Sequence, residues 1–141
     1  MTRPSLLLLD ADLLIAHLRR KPEAERWLVA HPPATLAISA VTLFEIEDGV
    51  HLTRDPELER RNIARALGVI ALLPFDAEAA RRAAVVRAAL ERTGSPIGPC
   101  DTLLAGHAVA MGAGVVTDNQ REFKRVKGLH VEPWRMTSTG S

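Results

Sequence analysis

Four consecutive leucines, Leu6-Leu7-Leu8-Leu9, end abruptly in Asp10-Ala11-Asp12, two carboxylates one residue apart. A short uninterrupted apolar run reads as a strand buried on both faces, the kind found in parallel sheets. Asp10 then falls at the carboxyl end of that strand, where open α/β sheets hold their ligands. A carboxylate at that depth needs a partner to be tolerated. Asp12 has two open readings, as the N-cap of the next helix or as part of the chemistry.

The chain of 141 residues is long enough for one domain with a proper core, and its 47% hydrophobic and 25% charged content is ordinary for a globular protein. Aromatic residues make up only 4%, so Leu, Val, Ile and Ala must fill the interior. A net charge of +1 neither demands nor excludes nucleic acid as a partner. The single cysteine, Cys100, leaves no intramolecular disulfide and suits a reducing compartment. The leucine run stops at Asp10, too short for a signal core or a membrane span, so a cytoplasmic protein is expected. Residues 136–141 are small and polar and are expected to form a disordered tail behind a domain of residues 1–135.

Periodicity and breakers predict helices over residues 13–18 and 23–30, the first stopped and the second started by Pro22. A second buried strand is predicted over 35–39. Ser39 to Thr42 opens a helix running to about Val50, in which Thr42 and Glu45 have the spacing of a capping box. A charged amphipathic helix over 56–67 precedes a strand over 69–73. Asp76 is placed to cap a long Ala-rich helix ending near Thr93. A helix over 101–111 leads to a strand over 115–117, and 129–132 is a candidate edge strand. Strands alternating with helices predict an α/β fold: a mainly parallel sheet flanked by helices in three layers.

In such a sheet every strand's carboxyl end faces one edge, and the helices that follow begin there. Asp10, Glu45, Asp101 and Asp118 all occupy such positions and are expected to converge. Crowded carboxylates repel unless a cation neutralises them or some take up protons. Hard divalent cations such as Mg²⁺ and Mn²⁺ prefer oxygen ligands and retain waters. The histidines, His17, His31, His51, His107 and His130, show no ligand-like spacing, and no glycine-rich phosphate loop is present.

Four blocks carry these acids: Leu8-Leu9-Asp10-x-Asp12-Leu13-Leu14-Ile15, Ile38-Ser39-Ala40-Val41-Thr42-Leu43-x-Glu45-Ile46-x-x-Gly49, Pro96-Ile97-Gly98-Pro99-x-Asp101-x-Leu103-Leu104-Ala105-Gly106-His107 and Val116-Thr117-Asp118-Asn119-x-Arg121-Glu122-Phe123. In this order they resemble the motifs of PIN-domain proteins, in particular the VapC toxins of bacterial toxin–antitoxin pairs, over residues 6–134. The resemblance implies a single PIN-like domain and an endoribonuclease dependent on Mg²⁺ or Mn²⁺. It also implies a homodimer inhibited by a VapB antitoxin.

Carried over by position, Asp10, Glu45 and Asp101 match the metal-site acids. The fourth acid of the family falls at Asn119, with Asp118 one residue earlier, which leaves two alternatives: Asp118 substitutes for it, or this corner lacks a carboxylate ligand. Asp12, Ser39, Thr42, Thr117 and Asn119 are implied to support the site from beside it. The first block departs from the pattern, because Ala11 and Asp12 stand where Thr or Ser and then Asn are usual.

Arg121, Lys124, Arg125 and Lys127 follow the fourth block and are candidates for RNA contacts, with a merely solvated basic segment as the alternative. Two rival functions remain. A haloacid-dehalogenase-like phosphatase also begins with Asp-x-Asp after an apolar strand, but expects Thr or Val at Leu14 and a lysine at a later strand end. The only lysines are Lys21, Lys124 and Lys127. The other rival is a PIN-like module that binds without cutting.

Overall fold

The computed structural model describes residues 3–135, and the expected tail, residues 136–141, lies outside them. Along the chain run β1 (Leu7–Leu9), α1 (Ala11–Leu18), α2 (Pro22–Val29), β2 (Leu36–Ser39), α3 (Ala40–Val50) and α4 (Pro56–Leu67). Then follow β3 (Ala71–Leu73), α5 (Ala77–Arg92), α6 (Pro99–Met111), β4 (Gly114–Val116), α7 (Gln120–Phe123) and β5 (Val131–Glu132). The sheet is parallel throughout, in the order β3-β2-β1-β4-β5. The chain therefore winds outward from β1 through β2 and β3, then returns to the other side of β1 for β4 and β5. That reversal opens a crevice between the carboxyl ends of β1 and β4, the switch point at which such sheets bind ligands.

The leucine run fills the centre of the sheet, and its members alternate between two cores. Leu7 and Leu9 join Leu36, Ile38 and Val116 against α1, α3 and α4. Leu8 joins Ala37 and Val115 against α5 and α6. Each buried leucine contributes about 1.5–3 kcal/mol over leaving it exposed, so both helical layers are fixed by the same three-residue strand. The second layer is held at close range. A Cβ on Gly106 of α6 would lie 2.3 Å from the Ala83 Cα of α5, so the two backbones meet directly. Gly112, at φ 63°, supplies the left-handed turn that stops α6 before β4.

Three local expectations are corrected. The cap of α1 is Asp10, whose side chain accepts from the Ala11 N–H, whereas Asp12 lies inside the first turn. The cap of α3 is Ser39, accepting from the Val41 N–H, which puts Glu45 well inside the helix, so no capping box forms between Thr42 and Glu45. The third strand is shorter than expected, beginning at Ala71, because it is a sheet edge and Val69 is 77% exposed. Among the described residues no helix is long and apolar enough to cross a membrane.

Candidate active site

Asp10 leaves β1 into the crevice with only 7% of its surface exposed. Its Oδ1 accepts from the Ala11 N–H at 2.8 Å and its Oδ2 from the Thr117 hydroxyl at 2.7 Å. These two bonds satisfy part of the carboxylate but not its charge. Burial, with Asp12 nearby, pushes its pKa up to about 6 against the stabilising Thr117 and Ala11 contacts.

Because α3 starts after Ser39, Glu45 faces inward from its second turn. Its Oε1 is buried without any hydrogen-bond partner, and so is the hydroxyl of Thr42 in the same helix. Burial raises the Glu45 carboxyl, helped by the charges of Asp10 and Asp12. Buried polar atoms without partners cost roughly 1–3 kcal/mol each. Such an atom calls for an explanation, and a bound ion or water in the working state is one.

Asp101 projects from the first turn of α6, beyond Gly98 and Pro99. Burial, then the charges of Asp10, Glu122 and Glu45, then a hydrogen bond with Glu122 push its carboxyl up to about 7. The half-buried thiol of Cys100 is likewise raised, by burial and by Glu45, Asp101, Asp10 and Asp48. The shared field is the physical sign that these acids, distant in sequence, stand together.

The fourth block is arranged differently from the expectation. Asp118 is exposed, and its carboxylate lies 3.5 Å from the Arg135 guanidinium; its charge acts on Asp12 but is not among those that raise Asp10, Glu45 or Asp101. Asn119 does turn toward them. Its Nδ2 donates to Asp101 Oδ2 at 3.3 Å and to Glu122 Oε2 at 2.7 Å. Glu122, on α7, is the acid that sequence reasoning missed. The signal was its place one residue before the buried Phe123, since α7 turns Phe123 into the core and Glu122 toward Asp101.

Thr117 is wholly buried and accepts from the Asn119 N–H at 2.9 Å while donating to Asp10. Ser39, besides capping α3, pairs at 2.8 Å with Nδ1 of His107, a buried histidine of α6 whose pKa burial lowers. That single contact ties the helix bearing Glu45 to the helix bearing Asp101.

The basic candidates are scattered. Arg121 is exposed on α7, and Arg125 donates to the Pro96 carbonyl at 2.9 Å. Lys124 and Lys127 border a groove with Gly112, Ala113 and His130, at the amino ends of β4 and β5, the edge opposite Asp10. Lys21 stands at the start of α2. No lysine of the three therefore reaches Asp10, as the phosphatase alternative requires.

The crevice acids offer oxygen donors, the kind preferred by a hard divalent cation. Among the described residues no three His, Cys, Asp or Glu side chains are arranged to hold a metal ion by themselves. The set suits a cation that keeps several waters and takes one or two carboxylates, as Mg²⁺ does.

The family model for the PIN domain matches residues 7–129. A tRNA(fMet)-specific endonuclease VapC of Shigella flexneri is 38% identical over 130 residues, covering 90% of this chain and 96% of the relative. A ribonuclease VapC2 of Rickettsia felis is 35% identical over 100 residues, covering 71% and 75%. Among solved structures, DNA-bound VapBC from Salmonella typhimurium superposes with a TM-score of 0.83 at 34% identity, covering 92% of this chain and 98% of that one. The crevice acids Asp10, Glu45 and Asp101, the three-layer fold around them and these likenesses lead to one conclusion: the chain belongs to the PIN-domain family and groups with its VapC members.

Proposed function

We propose that this chain is an endoribonuclease that hydrolyses RNA phosphodiester bonds with Mg²⁺ or Mn²⁺, and that it is the toxin of a VapBC-like pair. The observation that carries the reading is the group of raised, partly unsatisfied carboxylates at the switch point: Asp10, Asp101 and the orphaned Glu45 Oε1. The metal fits, because the carboxylate donors are all oxygen, and because burial and then mutual repulsion raise their pKa values, a repulsion that a cation relieves. Asp10 and Asp101 are the proposed direct ligands, with Glu45 reaching the cation through water. Asp118, with its carboxylate turned to Arg135, is the weakest member of the proposed set, and Glu122 is the better candidate for that corner.

A bound divalent cation supplies a water of lowered pKa and neutralises charge on the scissile phosphate. The chain does the rest. The Thr117 hydroxyl and Ala11 N–H hold Asp10 in one rotamer. Asn119 holds Asp101 and Glu122 together, and Glu45 is the proposed acceptor of a proton from an attacking water. Arg121, on the same element as Glu122, is the proposed phosphate contact nearest the acids. A VapB-like antitoxin, a homodimeric state and a cytoplasmic location complete the proposal; the VapBC complexes among the structural neighbours support the first of these.

The experiment is cleavage of a mixed RNA by purified protein with Mn²⁺, Mg²⁺ or EDTA, alongside Asp101→Asn. Metal-dependent cleavage lost in the variant supports the reading, and equal cleavage by both proteins rules it out.

A further inference from the structure

Asp12 accepts from donors at both of its oxygens, although the charges of Asp10 and Asp118 lie nearby. Its Oδ1 accepts from the Leu13 N–H at 2.7 Å and from the Trp134 indole N–H at 3.2 Å. Its Oδ2 accepts from the Asp118 N–H at 2.8 Å and faces the Thr117 hydroxyl at 3.3 Å. Three of the four are N–H groups, which have no acceptor capacity. The Thr117 proton goes to the nearer Asp10 Oδ2 at 2.7 Å, so Asp12 serves chiefly those three.

These contacts join segments far apart in sequence. Trp134 is 3% exposed and packs in the core layer that holds Leu7 and Leu9. The Arg135 guanidinium lies 4.8 Å from the centre of its ring and closes over it. On the other side, Asp118 is flanked by Thr117, which donates to Asp10, and by Asn119, which donates to Asp101. The Thr117 N–H is itself bonded to the Glu132 carbonyl, close before Trp134 in the chain.

We propose that Asp12 is a positioning residue: as a carboxylate it clasps Trp134 and the 117–119 turn to the end of β1, and thereby sets Thr117 and Asn119 against Asp10 and Asp101. Although Asn is the usual residue at this position in the family, the contacts around Asp12 in this chain favour a carboxylate over the amide. Asparagine has nearly the same shape, but either orientation of its amide sets an NH₂ against N–H donors, at Trp134 and Leu13 or at Asp118. The Thr or Ser that usually precedes that Asn is also absent, since Ala11 carries no hydroxyl.

The test uses Asp12→Asn, Trp134→Phe and the double variant of the full chain. The effect on cleavage rests on the nuclease reading above, but the indole signal does not. Trp134 and Trp27 are the only tryptophans, so two indole N–H resonances are expected and Trp134→Phe assigns them. In Asp12→Asn the Trp134 resonance is expected to shift upfield and exchange faster with solvent, while that of Trp27 stays. RNA cleavage is expected to lose roughly tenfold or more in kcat with KM nearly unchanged.

Trp134→Phe keeps the ring packed and removes one donor, so it tests the same link should Asp12→Asn fail to fold. Its effect on kcat is expected to be smaller in the Asp12→Asn background than in the native one, since the offending N–H is gone. An unshifted Trp134 resonance in Asp12→Asn, or strictly additive effects, overturns the clasp. A shifted resonance with undiminished kcat overturns the positioning role while leaving the nuclease reading intact.

Discussion

Replacing Asp10 by Asn should make the metal-free protein more stable at neutral pH while abolishing its activity. Asp10 titrates near 6 in the folded chain, against an ordinary 3.8. Because the folded pKa is the higher one, the folded state binds the proton more tightly, and stability falls as pH rises from about 4 to about 7. A shift of about two pKa units corresponds to about 3 kcal/mol lost at pH 7.5, and well under 1 kcal/mol at pH 4. Asn carries no charge and escapes that loss. Its Oδ1 can still accept from the Ala11 N–H, and its NH₂ can donate to Thr117, whose proton can turn to Asp12.

The expected outcome is that the stability difference between Asp10→Asn and the native chain changes by about 2 kcal/mol, in favour of Asn, between pH 4 and pH 7.5. Urea unfolding in EDTA, monitored by circular dichroism at both pH values, measures it. Millimolar Mn²⁺ should then stabilise the native chain and leave the variant unmoved, since only a ligand that binds the folded state raises its stability. An Asn variant destabilised equally at both pH values would refute the reasoning, because Asp10 would then be an ordinary satisfied carboxylate.

Other outcomes follow from neighbouring contacts. Glu122→Gln removes a charge and an acid hydrogen-bond partner beside Asp101, so the Asp101 pKa should fall and the acid limb of the pH–rate profile should move to lower pH. Gly106→Ala forces a methyl into the Ala83 backbone and should destabilise by roughly 1–3 kcal/mol, read as a lower urea midpoint with an unchanged slope. Arg121→Ala should weaken RNA binding and flatten its salt dependence more than Lys127→Ala does, because Lys127 lies at the opposite edge of the sheet. Fluorescence anisotropy across a salt series distinguishes the two.

The sheet's parallel character was legible because a leucine run on its own must be buried on both faces, and Leu7, Leu8 and Leu9 are. Which leucine faces which layer was not, since a uniform run carries no period. The capping of α3 is ambiguous in sequence because Ser39 and Thr42 are both good caps, and the spacing to Glu45 favours the wrong one; the choice is made by where β2 ends. That same choice turns Glu45 from a cap partner into a half-buried acid whose Oε1 is enclosed. Glu122 was hidden between Arg121 and Phe123 in what reads as a charged surface turn. Only the four-residue helix α7, anchored by Phe123, directs it to Asp101. Asp118 looked like a site acid because it follows β4 closely, but the backbone there points its N–H at Asp12 and its carboxylate at solvent and Arg135.

Direct metal binding to the crevice tests the central claim most closely. Isothermal titration of Mn²⁺ into the native chain and into Asp101→Asn, with circular dichroism establishing that both are folded, is the measurement. The native chain is predicted to bind Mn²⁺ saturably, and the variant to lose that binding or weaken it by roughly tenfold or more, together with its RNA cleavage. Equal Mn²⁺ affinity and equal cleavage in the two proteins would contradict it.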